Sequence, residues 1–232
     1  MSLTKLKKFV LAETQEERKK PFTEVLETEK LYIACDGVIG GVVGKDKFDN
    51  SYLLDIPKQN NLYDDLIKLF YTTSVFNTNY FTINVNDLKK ELEQLIIEIK
   101  ERFKEKKIQH ENFKSEMFKL SKILVEIYVD NNIITLRLIY NFYYGKVKDR
   151  LDFKDIITTD SRQLPCDSNF ITNEDEFIVL NHLKIMQFID FIGSDSYKQI
   201  RINSSNSPAF EAHTITASND NKFALLFKCR RD

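Results

Sequence analysis

Apolar residues recur along this chain at two spacings, one of about four residues and one of two. Leu88, Leu92, Leu95, Ile96, Ile99 and Phe103 share one helical face, with Lys and Glu elsewhere. The spacing predicts a helix that Asn86 or Asp87 would cap. A weaker stripe at Phe113, Met117, Phe118 and Leu120 continues or restarts it through the charged stretch Glu105 to Lys122, giving a helical segment of about 86–122. A shorter stripe at Leu62, Leu66, Leu69 and Phe70 predicts a second helix, and residues 4–20 are charged enough for a short helix with a polar extension.

Alternating and β-branched runs predict the strands. Phe22 to Leu26, Lys30 to Cys35, Val38 to Val43, Tyr52 to Ile56 and Tyr80 to Val85 have this character. Ile123 to Val129 and Ile133 to Tyr140 flank Asp130-Asn131-Asn132 and read as a hairpin. Phe142 to Val147 and Phe153 to Thr158 read as further strands, and Ser161 to Glu176 as a polar loop. From Phe177 the chain reads strand, apolar helix, a turn at Gly193-Ser194-Asp195, then three strands ending in Phe223 to Phe227. The pattern is α+β.

Composition narrows the function. The 232 residues are 42% hydrophobic and 30% charged, enough to bury a core without metals or disulfides. Lys and Arg number 34 against 35 Asp and Glu. A uniformly basic nucleic-acid binder is thereby excluded, but a local basic face is not. Cys35, Cys166 and Cys229 have no ligand spacing, so no metal and no cofactor is expected. Their sparse, odd count suits a reducing compartment. No apolar run approaches the ~20 residues of a membrane span, and the expected location is the cytoplasm, with no membrane partner.

Catalytic signatures are lacking. Asp36, Asp130, Asp160, Glu174, Asp175 and Glu176 follow no metal-ligand spacing that a nuclease would need. His110, His182 and His213 stand apart from any nucleophile motif. Gly37, Gly40, Gly41 and Gly44 lack the Lys-Ser/Thr ending of a phosphate loop and read as turns and bulges. The chain is expected not to be an enzyme.

The order of elements carries a resemblance. Phe81-Thr82-Ile83-Asn84-Val85 feeds a helix at Asp87-Leu88-Lys89-Lys90, the hairpin LVEIYVDNNIITLRL spans Leu124 to Leu138, and a second strand-helix pair runs from Phe177 to Phe191. Ser207-Pro208-Ala209 then precedes the apolar strand Phe223 to Phe227, and Lys30 to Gly37 reads as a strand ending in an Asp-Gly turn. Together these resemble the DNA sliding clamps, the processivity factors of replicative polymerases, in a bacterial or a phage- or prophage-type form. The resemblance implies an α+β clamp fold, with antiparallel sheets outside and helices on one face. It implies a short or degenerate N-terminal domain at 1–79 and a clamp-like C-terminal domain at 80–232.

The resemblance further implies a processivity factor that encircles duplex DNA without reading its sequence and tethers a DNA polymerase. Its partners would be DNA, a polymerase or clamp loader, and copies of itself in a ring. Lys5, Lys7, Lys8, Lys68, Lys89, Lys90, Lys100 and Lys184 would contact the phosphates, with Arg102 and Lys104 on the same long helix. The interleaved Glu93, Glu98, Glu101 and Glu105 also allow a plain solvated face. Phe227 and Cys229 would border a partner-binding groove. The alternative is a non-enzymatic protein-interaction module that binds through the charged helical stretch.

Overall fold

A computed structural model describes residues 2–11, 22–56, 58, 61–76, 79–109, 117–147, 150–172, 177–193, 197–202, 214–219 and 221–227. The element order is α1 (Ser2–Leu6), β1 (Leu26–Glu27), β2 (Leu31–Cys35), β3 (Ile39–Gly44), α2 (Asn61–Phe76), β4 (Asn79–Asn84) and α3 (Val85–Gln109). There follow β5 (Ile123–Asp130), β6 (Ile133–Val147), β7 (Arg150–Thr158), β8 (Arg162–Pro165), β9 (Asp167–Ser168) and β10 (Ile178–Asn181). The chain closes with α4 (His182–Ile192), β11 (Tyr197–Ile202), β12 (Thr214–Asn219) and β13 (Lys222–Phe227). From β4 onward, a strand leading into a helix and then further strands occurs twice, five strands (β5 to β9) following α3 and three (β11 to β13) following α4.

The strands form two antiparallel sheets. The larger has the order β1-β2-β3-β13-β12-β11-β4-β9, and the smaller the order β10-β5-β6-β7, with β8 also paired to β6. Each strand-helix unit lends its leading strand to the other unit's sheet: β4 pairs with β11, and β10 with β5. The N-terminal strands join through β3 and β13, from Lys222 opposite Val43 to Leu226 opposite Ile39.

Period-two alternation sorts the larger sheet's side chains between two cores. Ala224 and Leu226 of β13 join one core with Leu6, Phe9 and the apolar faces of α3 and α4. Phe223 and Leu225 join the other with Leu66, Ile67 and Phe70 of α2. Helices α1, α3 and α4 therefore share one core, and α2 covers the opposite face. The smaller sheet adds Val125, Ile127, Leu136 and Leu138 to the first core.

Several sequence expectations need correction. Tyr52 to Ile56 is not a strand: Asn50–Leu53 is a 3-10 turn, because the Asp49 carboxylate accepts from Ser51 N at 2.9 Å and bends the backbone. Of the first expected strand, Phe22 to Leu26, only Leu26 pairs, and the strand continues to Glu27. The long helix is described from Val85 to Gln109 and does not extend to 122, since residues 117–119 are irregular and Leu120–Lys122 is a 3-10 turn. Its cap is Asn84, whose side-chain Oδ1 accepts from Asn86 N at 3.0 Å, not Asn86 or Asp87. The polar stretch Ser161 to Glu176 holds β8 and β9. Of the glycines, Gly37 sits in a turn at φ 89°, but Gly40 and Gly41 lie inside β3, where aromatic rings press on them. The hairpin is as expected, with Asn131 and Asn132 at φ 45° and 63°. Phe113, His110, Glu174, Asp175, Glu176, Ser207, Pro208, Ala209 and His213 lie outside the described residues, as do Ser194 and Asp195 of the expected turn.

Candidate nucleic-acid interface

The shared helical face is organised around α4. Its sequence, HLKIMQFIDFI, is apolar enough to bury Ile185, Phe188, Ile189, Phe191 and Ile192. The Asn181 side chain caps its start by accepting from Lys184 N at 3.3 Å, and Gly193 at φ 95° ends it. The last carbonyls of a helix lack intrahelical donors and carry partial negative charge. Lysines from neighbouring elements meet that demand. Lys5 Nζ of α1 donates to the Asp190 carbonyl at 2.5 Å, and Lys222 Nζ of β13 donates to the Phe191 carbonyl at 3.2 Å. Lys89 Nζ of α3 reaches Asp190 Oδ1 at 3.2 Å. Asp190, the only carboxylate in α4, thus ties α4 to both neighbouring helices.

Lys184 pairs with Asp36, whose other carboxylate oxygen accepts from Val38 N and Ile39 N at 2.8 and 2.9 Å. That bond pins α4 to the β2–β3 turn. Arg102 is held by Glu98 at 2.8 Å, Asp160 at 2.7 Å and the Thr158 carbonyl at 2.7 Å.

The lysines expected at the DNA fall into three groups. Lys5, Lys89 and Lys184 are engaged in holding α4. Lys7, Lys8, Lys90, Lys100 and Lys104 are exposed on the 3-10 turn after α1 and on α3. Lys68 is exposed on α2, on the opposite face of the sheet. The outward ridge of α3 runs Lys90, Glu93, Ile97, Glu101, Lys104 and Ile108, two cations against two anions. Long-range attraction to phosphate from this ridge is therefore small, and what remains falls with salt.

A second feature lies on the far side. The connection from β3 to β4 crosses the outer face of the sheet and carries α2. Between its 3-10 turn and α2 lies a cleft of about 180 Å³ lined by Leu53, Leu54, Ile56, Ile67, Lys68 and Tyr71. Leu54 is 63% exposed there. Phe227 is half-buried and packs against the same outer core as Tyr52, Ile56 and Tyr71, but does not line the cleft. Cys229 lies outside the described residues. The sequence reading missed Asp190 and this cleft. The lone carboxylate in an apolar helix was the available signal for the first, and the short stripe of α2 for the second.

Reactive groups are subdued. Burial pushes the Cys35 thiol up to about 12, and it also raises Cys166. Asp36 and Asp160 are engaged by Lys184 and Arg102. Among the described residues, no group of three His, Cys, Asp or Glu side chains could hold a metal ion, and no helix is long and apolar enough to cross a membrane.

This arrangement of sheets and helices matches solved bacterial clamps. The structure of the Caulobacter crescentus beta sliding clamp matches with a TM-score of 0.54 at 10% identity, over 99% of this chain and 62% of that one. A putative DNA polymerase III beta subunit from Eubacterium rectale matches at 0.56 and 9% identity, over 99% and 62%. The Pseudomonas aeruginosa DNA polymerase sliding clamp matches at 0.53 and 10%, over 98% and 62%. This chain has the sliding-clamp fold. It spans 62% of the length of these clamps. No protein-family model and no curated protein matches the sequence. The likeness to these clamps is one of fold, at 9–10% sequence identity.

Proposed function

We propose that this chain is a non-enzymatic, clamp-type tether that rides on duplex DNA and holds a polymerase or clamp loader on its outer face. The observation that carries the reading is the series α1, α4, α3 along one face, backed by sheets that continue from the N-terminal strands into the C-terminal ones. In this reading, residues 80–232 are a clamp-like domain and 1–79 a short or degenerate one. Lys7, Lys8, Lys90, Lys100 and Lys104 meet phosphates, while Lys5, Lys89 and Lys184 hold the helices in place. The outer cleft at Leu53, Leu54, Ile67 and Tyr71 receives an apolar peptide segment of the partner, with Phe227 packed on the core beneath that face.

The test compares retention on nicked circular and linear duplexes. A topological tether stays on the circle and is lost from the ends of the line. Lys90→Glu, Lys100→Glu and Lys104→Glu together should lower retention at least tenfold at about 50 mM salt, where phosphate contacts count most. Lys89 is left intact because its loss would disturb α4. Equal retention on both duplexes, or a triple variant that behaves as wild type, would overturn the reading.

The neutral ridge of α3 favours one alternative. Ile97 and Ile108 are 59% and 83% exposed on it, a surface better suited to a protein partner than to phosphate. That interaction-module reading predicts no DNA retention on either duplex.

A further inference from the structure

The outward face of the smaller sheet contains a buried charge that the clamp reading does not use. Along β5, Val125, Ile127 and Val129 face the core and the even-numbered residues face away. Glu126 faces away, yet its side chain is 0% exposed. Directly opposite on β6 stands Arg137, and the Arg137 Nε donates to Glu126 Oε2. The Arg137 guanidinium lies 5.0 Å from the centroid of the Phe177 ring. Tyr128 and Phe177 in turn sit 5.9 Å apart, tilted by 50°. These groups, with Thr135 and Ser161, line a cavity of about 220 Å³.

Burying the Glu126 carboxylate costs several kcal/mol of desolvation that its pairing with the one-third-exposed Arg137 only offsets, and an apolar residue there would stabilise the sheet as well. A charged pair set under aromatic walls in a cavity is therefore better explained by recognition than by folding. The chemistry of the vacant valences says what is recognised. A guanidinium has five N–H donors in a planar fork. Nε is committed to Glu126, and among the described residues no acceptor meets the two terminal nitrogens. Two parallel donors match a carboxylate. The Tyr128 and Phe177 rings suit an apolar group attached to it. Pockets for drug-sized ligands run about 300–1,000 Å³, so this one fits a group the size of one side chain.

We propose that Glu126, Arg137, Tyr128 and Phe177 form a binding site for a carboxylate joined to a compact apolar group. Arg137 grips the carboxylate through its terminal nitrogens, Glu126 fixes the guanidinium plane, and the two rings enclose the apolar part. Such a group arises either as a small free acid or as the last residue of a peptide ending in Phe or Leu.

The test titrates the whole chain with 3-phenylpropionate, following the Arg137 Nε–H resonance by NMR. Saturable shifts with a Kd near about 1 mM are expected, with 3-phenylpropionamide binding at least tenfold more weakly. N-acetyl-Gly-Phe carried through the same titration separates the sources: tighter binding than 3-phenylpropionate assigns the site to peptide C-termini, and weaker binding assigns it to free acids. Phe177→Ala, which leaves the Glu126–Arg137 pair in place, should weaken 3-phenylpropionate at least fivefold. Absence of saturation in the wild-type chain, or equal binding of acid and amide, would overturn the proposal. The acid–amide comparison needs no variant, so a misfolded substitution cannot obscure it.

Discussion

His182 opens α4 and is buried, and neither ring nitrogen has a hydrogen-bond partner among the described residues. Burial, then the nearby Lys100 cation, lowers its pKa from the ordinary 6.5 to about 4. The ring is therefore neutral in the folded protein at neutral pH, and the unfolded chain takes up its proton first as pH falls. Stability supplied by the neutral ring is complete above the unfolded value of 6.5, declines as pH falls towards 4 and is gone below that. The full loss is up to about 3 kcal/mol. Urea unfolding at several pH values between these limits should show wild type losing stability faster than His182→Leu. The difference between the two cancels the carboxylates that titrate in the same window. Parallel pH profiles would mean that the folded protein accommodates the charged ring. At this scale the sequence offered only an isolated histidine, because what perturbs it is set by burial and by Lys100 on another helix.

At the scale of elements, β3 shows what holds the layers together. A Cβ on Gly40 would come within 2.5 Å of the Phe70 ring of α2, and one on Gly41 within 2.8 Å of Phe9 and 3.0 Å of Phe191. The strand is thin so that helical layers can close on it from both faces. Gly41→Ala should force Phe9 and Phe191 outward and cost about 1–3 kcal/mol, the usual penalty for overfilling a packed core. A thermal melt would register it, and an unchanged midpoint would mean the α1 and α4 layer shifts freely. The amphipathic stripe of α3, the hairpin at Asn131-Asn132 and the strand-helix pair at α4 were all legible, since each has a local period or turn signal. The 3-10 turn at Asn50–Leu53 was not, because Asp49 capping overrides an alternating apolar pattern. Strands β8 and β9 were hidden because each is short and formed by pairing with β6 and β4. The site was less legible than the fold. Lysines that look alike in sequence are separated by partners 185 residues away for Lys5 and 148 for Lys184.

For the whole molecule, the question is how the sheets end. Among the described residues the larger sheet stops at β1 and β9, each two residues long, and the smaller at β10 and β7. Short ends discourage uncontrolled pairing, whereas the nine-residue β7 offers a long row of backbone donors and acceptors. A clamp-type tether needs that edge to meet a different surface of a neighbour, since only such head-to-tail contacts close into a ring. Pairing of β7 with its own copy would instead give a twofold dimer and leave the helical face open. Light scattering separates these outcomes on the 27.3 kDa chain. A closed ring keeps one mass over about a hundredfold dilution, because breaking it requires two contacts to open at once. A persistent trimer is the expected result. A dimer that dissociates on dilution would place the symmetric contact at β7, and a monomer throughout would remove encirclement from the proposed function while leaving the clamp fold untouched.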